Sequence, residues 1–161
     1  MLAIAEALQD FRAAADVQFV LFGGEEEGLF GSKQFVAAMP AAERARVRAV
    51  VQMDMIGSLN APTPTVLLEG AALSQAVIDG LRAAAATYTR LAVQVSLNPF
   101  NSDHVSFIRQ GMPAVLTIEG TDDANHAIHS ARDTLDRIDF DLPLDILRMN
   151  VAFLASALGR A

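Results

Sequence analysis

The chain has 161 residues, a length that suits one domain, and 52% of them are hydrophobic, which supports a sizeable core and argues against disorder. The formal net charge of -7 leaves no basic stripe for phosphate backbones and disfavours anionic lipid surfaces, so we expect no nucleic-acid partner. There is no cysteine, so any metal site must be built from His, Asp and Glu.

The apolar pattern, taken in chain order, predicts helices that alternate with strands. Helices are expected at 1–14, 30–39, 40–47, 71–86, 102–110 and 142–158, with Ser102 or Asp103 capping the fifth. Short buried strands are expected at 17–22, 49–53, 66–68, 91–97 and 114–118. This alternation predicts an α/β fold with a mixed, largely parallel sheet of about five strands and helices on both faces. We expect residues 1–161 to form a single domain.

Targeting and membrane signals are not evident in this sequence. The first six residues lack a basic n-region and fit the inside of a helix better than a signal peptide. No apolar run approaches the roughly 20 residues that span a bilayer, so we expect no membrane span. The compartment stays unknown.

Four polar clusters follow the predicted strands or loops, and they begin at Glu25, Asp54, Asp103 and Asn125. In α/β sheets, binding sites form at the carboxyl ends of strands, so these clusters are the candidate site.

The first cluster places three adjacent glutamates between Gly24 and Gly28. Neighbouring carboxylates repel one another unless a cation or solvent relieves them. A solvated acidic turn is the simpler interpretation, and a metal ligand beside a general base is the functional one.

Asp54 and His129 are the other two candidates. Asp54 follows an apolar strand, where an ionised carboxylate is costly unless it is paired or bound to metal, although it could equally cap the turn before Gly57. His129 is either a metal-binding imidazole or a surface histidine in a loop.

The run Ser102-Asp103-His104 does not predict a hydrolytic triad, because adjacent residues at a helix start point in different directions.

Together these clusters resemble the motifs of a known family. Residues 24–32 read Gly-Glu-Glu-Glu-Gly-Leu-Phe-Gly-Ser and resemble the Gly-Glu-Glu-x-Gly-Leu-x-Gly-Ser motif of the dinuclear zinc aminopeptidases, which are related to glutamate carboxypeptidase and glutaminyl cyclase. Residues 53–57, 102–107 with 111–114, and 128–134 resemble three further motifs of that family, in the same order. The match is to the C-terminal part of a catalytic domain similar to bacterial leucyl aminopeptidases.

The resemblance implies a role for each matching residue. It implies that Glu25 is the general base for a metal-bound water, that Glu26 and His129 bind one zinc, and that Asp54 binds the other. Asp103 and Asp133 would support these ligands without binding metal. The implied substrate is a peptide with a free N-terminus, and the implied cofactor is a pair of zinc ions.

The sequence departs from the family pattern before residue 24. The family has two further ligands upstream, a histidine and a zinc-bridging aspartate, and no histidine precedes the Glu-Glu motif here. Glu26 and His129 alone fall below the three protein ligands usual in catalytic zinc sites, so we expect partial or no zinc occupancy and weak or absent activity for this chain by itself. A truncated sheet would also expose an edge or apolar face and favour homo-oligomers.

Two alternatives stay open from the sequence. One is a degenerate, non-catalytic member of the family that serves as an interaction or dimerisation module. The other is a cyclase or carboxypeptidase, although the uninterrupted Glu27-Gly28-Leu29 segment favours a peptidase over a cyclase. We identify no basic pocket of the kind that a carboxypeptidase needs for its substrate's carboxylate.

Overall fold

The computed structural model describes residues 1–159, which form helices that alternate with strands. The α-helices are α1 Leu2–Leu8, α2 Phe30–Ala38, α3 Ala41–Arg44, α4 Gln75–Tyr88, α5 His104–Ile108 and α6 Asp141–Leu158. The strands are β1 Val50–Met53, β2 Thr65–Glu69, β3 Ala92–Ser96 and β4 Ala114–Glu119, and short 3-10 helices cover Ala72–Ser74, Asp122–Ala124 and Leu135–Arg137.

The four strands form one mixed sheet in the order β1-β4-β2-β3. β1 runs parallel to β4 and β2 runs parallel to β3, while β2 and β4 are antiparallel. Consequently the carboxyl ends of β1 and β4 lie at the same edge of the sheet. Asp54 follows β1 there, and the segment that carries His129 follows β4.

Helices pack on both faces of this sheet, because successive side chains of β4 belong to different core clusters. Val115 belongs to a core cluster with Leu81 of α4 and Met149 of α6, whereas its neighbour Ala114 belongs to a second cluster with Phe107 of α5. Successive residues of a strand point to opposite faces, so one strand supplies both cores. The predicted α/β class with helices on both faces is confirmed.

The predicted first strand, at residues 17–22, is wrong. Within residues 1–159 this segment has no regular secondary structure and belongs to no ladder, and none of its backbone groups takes part in a backbone–backbone hydrogen bond. Val17, Phe19 and Leu21 are 39%, 40% and 79% exposed. An apolar pattern indicates that a segment can join a sheet, but a strand forms only where a neighbouring strand supplies hydrogen-bond partners for its backbone. The described sheet therefore has four strands instead of five.

Several helix boundaries also differ from the prediction. The first helix ends at Leu8 instead of residue 14, and the fifth spans only His104–Ile108. The predicted side-chain cap of that fifth helix is absent, because Ser102 Oγ donates instead to Asp54 and Asp103 makes no cap hydrogen bond. A polar side chain that could cap a helix is here used by the candidate site.

Among residues 1–159, none of the helices combines the length and hydropathy needed to cross a lipid bilayer. Whether residues 1–161 form one domain stays a prediction, and residues 160 and 161 lie outside the described part of the chain.

Candidate metal centre

The turn that carries the three glutamates is shaped by its glycines. Gly24 and Gly28 both have positive φ, at 67° and 111°, which glycine adopts at little cost. The N–H groups of Gly28 and Leu29 both donate to Glu25 O, at 2.9 and 2.8 Å, and the chain then enters α2. This tight turn presents Glu25 and Glu26 beside the start of the helix.

Glu26 and His129 meet directly, although 103 residues separate them in the sequence. Glu26 Oε1 lies 2.8 Å from His129 Nε2, and both side chains are about two-thirds exposed. His129 itself has φ of 55°, a left-handed conformation that is uncommon for a residue with a side chain. The fold thus brings together the two side chains that, by the family resemblance, would bind one zinc ion.

Glu25 lies within electrostatic reach of the other candidates. Burial is the largest cause that raises the pKa of the Glu25 carboxyl above its usual value. Three nearby carboxylates raise the pKa further, those of Asp54, Glu26 and Asp103, and His129 acts in the opposite direction. A carboxyl group whose proton is held more tightly than usual is suited to general acid–base work.

Asp54 is held by a chain of polar side chains that runs through Ser102, which the sequence predicted as a helix cap, to Gln52, which sequence reasoning did not single out. Ser102 Oγ donates to Asp54 Oδ2 at 2.8 Å, and Gln52 Nε2 donates to Ser102 Oγ at 2.6 Å. Gln52 Oε1 also accepts the backbone N–H of His104 at 2.6 Å. A polar residue in the middle of an apolar strand was the available signal for Gln52.

The two predicted supporting residues behave differently. Asp103 is 7% exposed, and its Oδ1 has no hydrogen-bond partner among residues 1–159. Since buried carboxylate oxygens normally have partners, this oxygen is free to accept one. Asp133 is exposed, and no hydrogen bond in the described part of the chain joins its carboxylate to Glu26 or His129. Its supporting role stays a prediction.

Strained backbone also marks the loops around these residues. Five non-glycine residues have positive φ in the described chain. One is His129 itself, three lie within three positions of Glu26, Asp54 or Ser102, and one lies two positions after Glu119, the last residue of β4. They are Leu29, Met55, Asn101, Thr121 and His129. Such conformations persist where the surrounding structure enforces them, and they are enriched at functional sites.

An open cleft beside the His129 loop is lined by basic and amide side chains. Its lining includes Arg132, Arg137 and His126, together with Asn60 and Asn125. The sequence alone did not predict a basic pocket, because the loops that form this cleft are more than 60 residues apart.

The donor types of the candidate centre suit zinc, but their number does not complete a site. No group of three or more His, Cys, Asp or Glu side chains is placed to hold a metal ion within residues 1–159. If Glu26 and His129 bind one ion and Asp54 binds a neighbouring one, as the resemblance implies, each position has fewer than the three protein ligands usual for catalytic zinc. A complete centre needs ligands from outside the described residues.

Comparison with known proteins identifies the family. The profile of peptidase family M28 matches residues 1–154. The chain belongs to this family. It is 31% identical over 155 residues to leucine aminopeptidase 1 of Coccidioides posadasii (strain C735), which covers 92% of this chain and 40% of that protein.

Solved structures give the same assignment for the fold of this M28 chain. An aminopeptidase from Aneurinibacillus sp. strain AM-1 aligns with a TM-score of 0.81 and 27% identity, over 99% of this chain and 37% of that one. The zinc aminopeptidase BSAP of Bacillus subtilis aligns with a TM-score of 0.86 and 23% identity, over 98% and 39% of the two chains. The chain therefore spans about 40% of the length of the relatives it matches, and the resemblance read from the four motifs is confirmed.

Proposed function

We propose that this chain is the C-terminal part of the catalytic domain of a zinc-dependent aminopeptidase, which removes N-terminal residues from peptides. The observation that carries the proposal is the contact of Glu26 with His129 at 2.8 Å beside Glu25, whose pKa is raised first by burial and then by the charge of Asp54. Residues from three distant segments are thus near enough to influence the charge of Glu25, which supports a common site. Membership in the M28 family supports the same activity.

Each residue has a distinct role in this proposal. Glu26 and His129 bind one zinc ion, and Asp54, oriented by the Ser102 hydroxyl, binds the second. When bound, the pair of zinc ions acidifies water and polarises the peptide carbonyl. Glu25 accepts a proton and later returns it to the leaving amine, a task for which a raised pKa is suitable.

The proposal includes a requirement for further ligands. Because the described residues supply fewer than three ligands to either position, we expect residues 1–161 alone to bind zinc weakly or not at all and to show little activity. Joining them to an upstream segment that carries the family's histidine and bridging aspartate should restore both.

The deciding experiment measures hydrolysis of leucine p-nitroanilide by such an extended protein after zinc loading. In the active protein, Glu25→Gln should lower kcat by about 10²-fold or more, the usual contribution of general acid–base catalysis, with little change in zinc content. Glu27→Gln is the matched control, since Glu27 lies in the same turn but has no assigned role, and it should retain activity. An extended protein that carries full zinc and stays inert would refute the proposal.

A non-catalytic interaction module is the second candidate. It is favoured by the incomplete ligand set and by the exposed apolar side chains of residues 17–22. Metal analysis separates the two candidates. A stable oligomer that stays free of zinc even when the upstream ligands are present would favour the module, whereas zinc uptake favours the enzyme.

A further inference from the structure

Glu119, the last residue of β4, is a buried carboxylate to which no site motif draws attention. Its side chain is almost wholly enclosed, at 1% exposure. No Lys, Arg or His side chain among residues 1–159 forms an ion pair with it. Burying a carboxylate in this way is costly unless hydrogen bonds compensate for the lost water.

Three donors from two loops provide that compensation. The backbone N–H of Ser58 donates to Glu119 Oε2 at 2.6 Å. The side-chain amides of Asn60 and Asn125 donate to Oε1 at 3.3 and 2.8 Å. Asn125 Oδ1 accepts the N–H of Ala127 at 3.2 Å, which fixes the orientation of that amide. Since every partner is a donor, this pocket requires a group that only accepts, and an ionised carboxylate is such a group.

One loop in this network leads to Asp54. The backbone N–H of Glu119 donates to Met55 O at 2.9 Å, and Met55 is the strained residue, with φ of 45°, that directly follows Asp54. The Glu119 side chain then holds Ser58, three residues further along. Glu119 thus holds the chain on the C-terminal side of Asp54 at two points.

The other loop leads to His129. Asn125 is held by Glu119 and in turn accepts the N–H of Ala127, and Ala127 O accepts the hydroxyl of Ser130 at 2.6 Å. His129 lies between these fixed points with its left-handed backbone. The orientation of its imidazole towards Glu26 therefore depends on an anchor at Asn125.

We propose that Glu119 is a positioning residue that sets the orientations of Asp54 and His129 together, so that ligands of two neighbouring metal positions share one buried anchor. The importance of this coupling rests on the proposed function, because the two orientations matter as a pair only if both side chains bind metal. The contacts themselves join residues of this chain to one another, so they can be tested without zinc.

The test is Glu119→Gln in the metal-free chain, followed by NMR. Replacing Glu119 by glutamine turns one of its two acceptor oxygens into an NH2 donor. That NH2 group must face either the Ser58 N–H or the side-chain amides of Asn60 and Asn125, which are donors themselves, so at least one hydrogen bond is lost. We expect the Ala127 amide to exchange with solvent roughly tenfold faster or more, since losing a hydrogen bond to a charged group corresponds to at least about one decade. The ring signals of His129 should shift and broaden, while amides in α4 keep their protection.

Asn125→Ala removes the contact from the other side and should give the same changes around Ala127 and His129. Glu69→Gln is the matched control, because Glu69 also ends a strand and accepts a loop N–H, that of Phe100 at 2.7 Å. It should leave the His129 signals unchanged.

The positioning role is overturned if Glu119→Gln leaves Ala127 exchange and the His129 signals as they are in the parent chain, whatever the result for Asn125→Ala, because that variant removes the acceptor of the Ala127 N–H itself. It is also overturned if amide exchange in α4 accelerates as much as that of Ala127, or if Glu69→Gln changes the His129 signals as much as Glu119→Gln does. Either result would mean that Glu119 contributes to the stability of the whole fold and does not specifically position His129. Zinc content of the extended protein tests the proposed function separately, so the two failures are distinguishable.

Discussion

The carboxyl group of Glu25 is held beside three other carboxylates, those of Asp54, Glu26 and Asp103, with the His129 imidazole as the opposing influence. Without bound metal these negative charges repel one another, and the partial burial of Glu25 adds to the cost of its ionised form. This arrangement disfavours folding at neutral pH unless a cation relieves it. Destabilised clusters of this kind are typical of functional sites.

The first prediction follows from the direction of that shift. A carboxyl group whose folded pKa is raised contributes stability below its unfolded pKa, and this contribution is lost as the pH rises through the folded pKa. Glu25→Gln should therefore raise the free energy of unfolding at pH 7, by less than about 1 kcal/mol because solvent screens the repulsion, and the gain should shrink towards pH 4. Thermal melts at both pH values, with Glu27→Gln as control, measure this. An equal gain at pH 4 and pH 7 would contradict it.

His129 allows a second prediction, which concerns its backbone alone. Its φ of 55° disfavours any residue with a Cβ, and its side chain is 69% exposed, so little packing is lost when it is removed. His129→Ala and His129→Gly both remove the contact with Glu26, but only glycine relieves the left-handed conformation. The glycine variant should be more stable than the alanine variant by about 1 kcal/mol. Urea unfolding compares them, and an alanine variant of equal or greater stability would show that the strain is absent.

At the scale of elements, the turn that presents the glutamates depends on close approach of two glycines. A Cβ added to Gly31 would lie 2.6 Å from Gly23 O, whereas a Cβ added to Gly23 would meet nothing within 4 Å. The first turn of α2 is therefore packed directly against the backbone that precedes Glu25.

These two glycines give a matched pair of variants for a third prediction. Gly31→Ala should destabilise the chain by about 1–3 kcal/mol, because backbone atoms cannot move aside as a flexible side chain can. Gly23→Ala, at which φ is not positive, should change stability by less than about 0.5 kcal/mol. Denaturant unfolding of both variants tests the packing, and equal effects at the two positions would contradict it.

The elements differ in how well the sequence predicted them. The bounds of helix α6 and strand β4 were predicted to within about one residue. A long helical period or a uniformly apolar run indicates directly which residues are buried. Residues 17–22 have the same kind of apolar pattern, yet they form no ladder, since pairing depends on a neighbour that the pattern does not encode. Local motifs indicated Glu26, Asp54 and His129. Glu119 and Gln52 belong to no such motif and were missed, since Gln52 contacts Ser102, 50 residues away, and Glu119 contacts Ser58, 61 residues away.

For the whole molecule, the candidate centre exists only because distant segments converge. Glu26 precedes α2, Asp54 follows β1, and His129 lies beyond β4, so each candidate ligand comes from a different part of the chain. The parallel pairing of β1 with β4 places two of these segments at one edge. The same architecture leaves the side chains of Val17, Phe19 and Leu21 exposed, whereas Phe22 packs against the second core cluster.

That exposed segment gives a fourth prediction. We expect residues 1–161 alone to self-associate, because exposed apolar side chains on a segment with an unpaired backbone favour pairing with another chain. Leu21→Lys should shift the chain towards monomer in sedimentation velocity experiments. Leu135→Lys, which alters an equally exposed leucine elsewhere, should not. Identical sedimentation of both variants and the parent chain would place any association on a different surface.

The most direct measurement of the metal centre is zinc stoichiometry in the extended protein, determined by elemental analysis after dialysis. We predict two zinc ions per chain, with His129→Ala losing one ion and Asp54→Asn losing the other, while Glu27→Gln retains both. If the His129 and Asp54 variants both retain two tightly bound ions, these residues are not the ligands, and the assignment of a dinuclear zinc centre to them is contradicted.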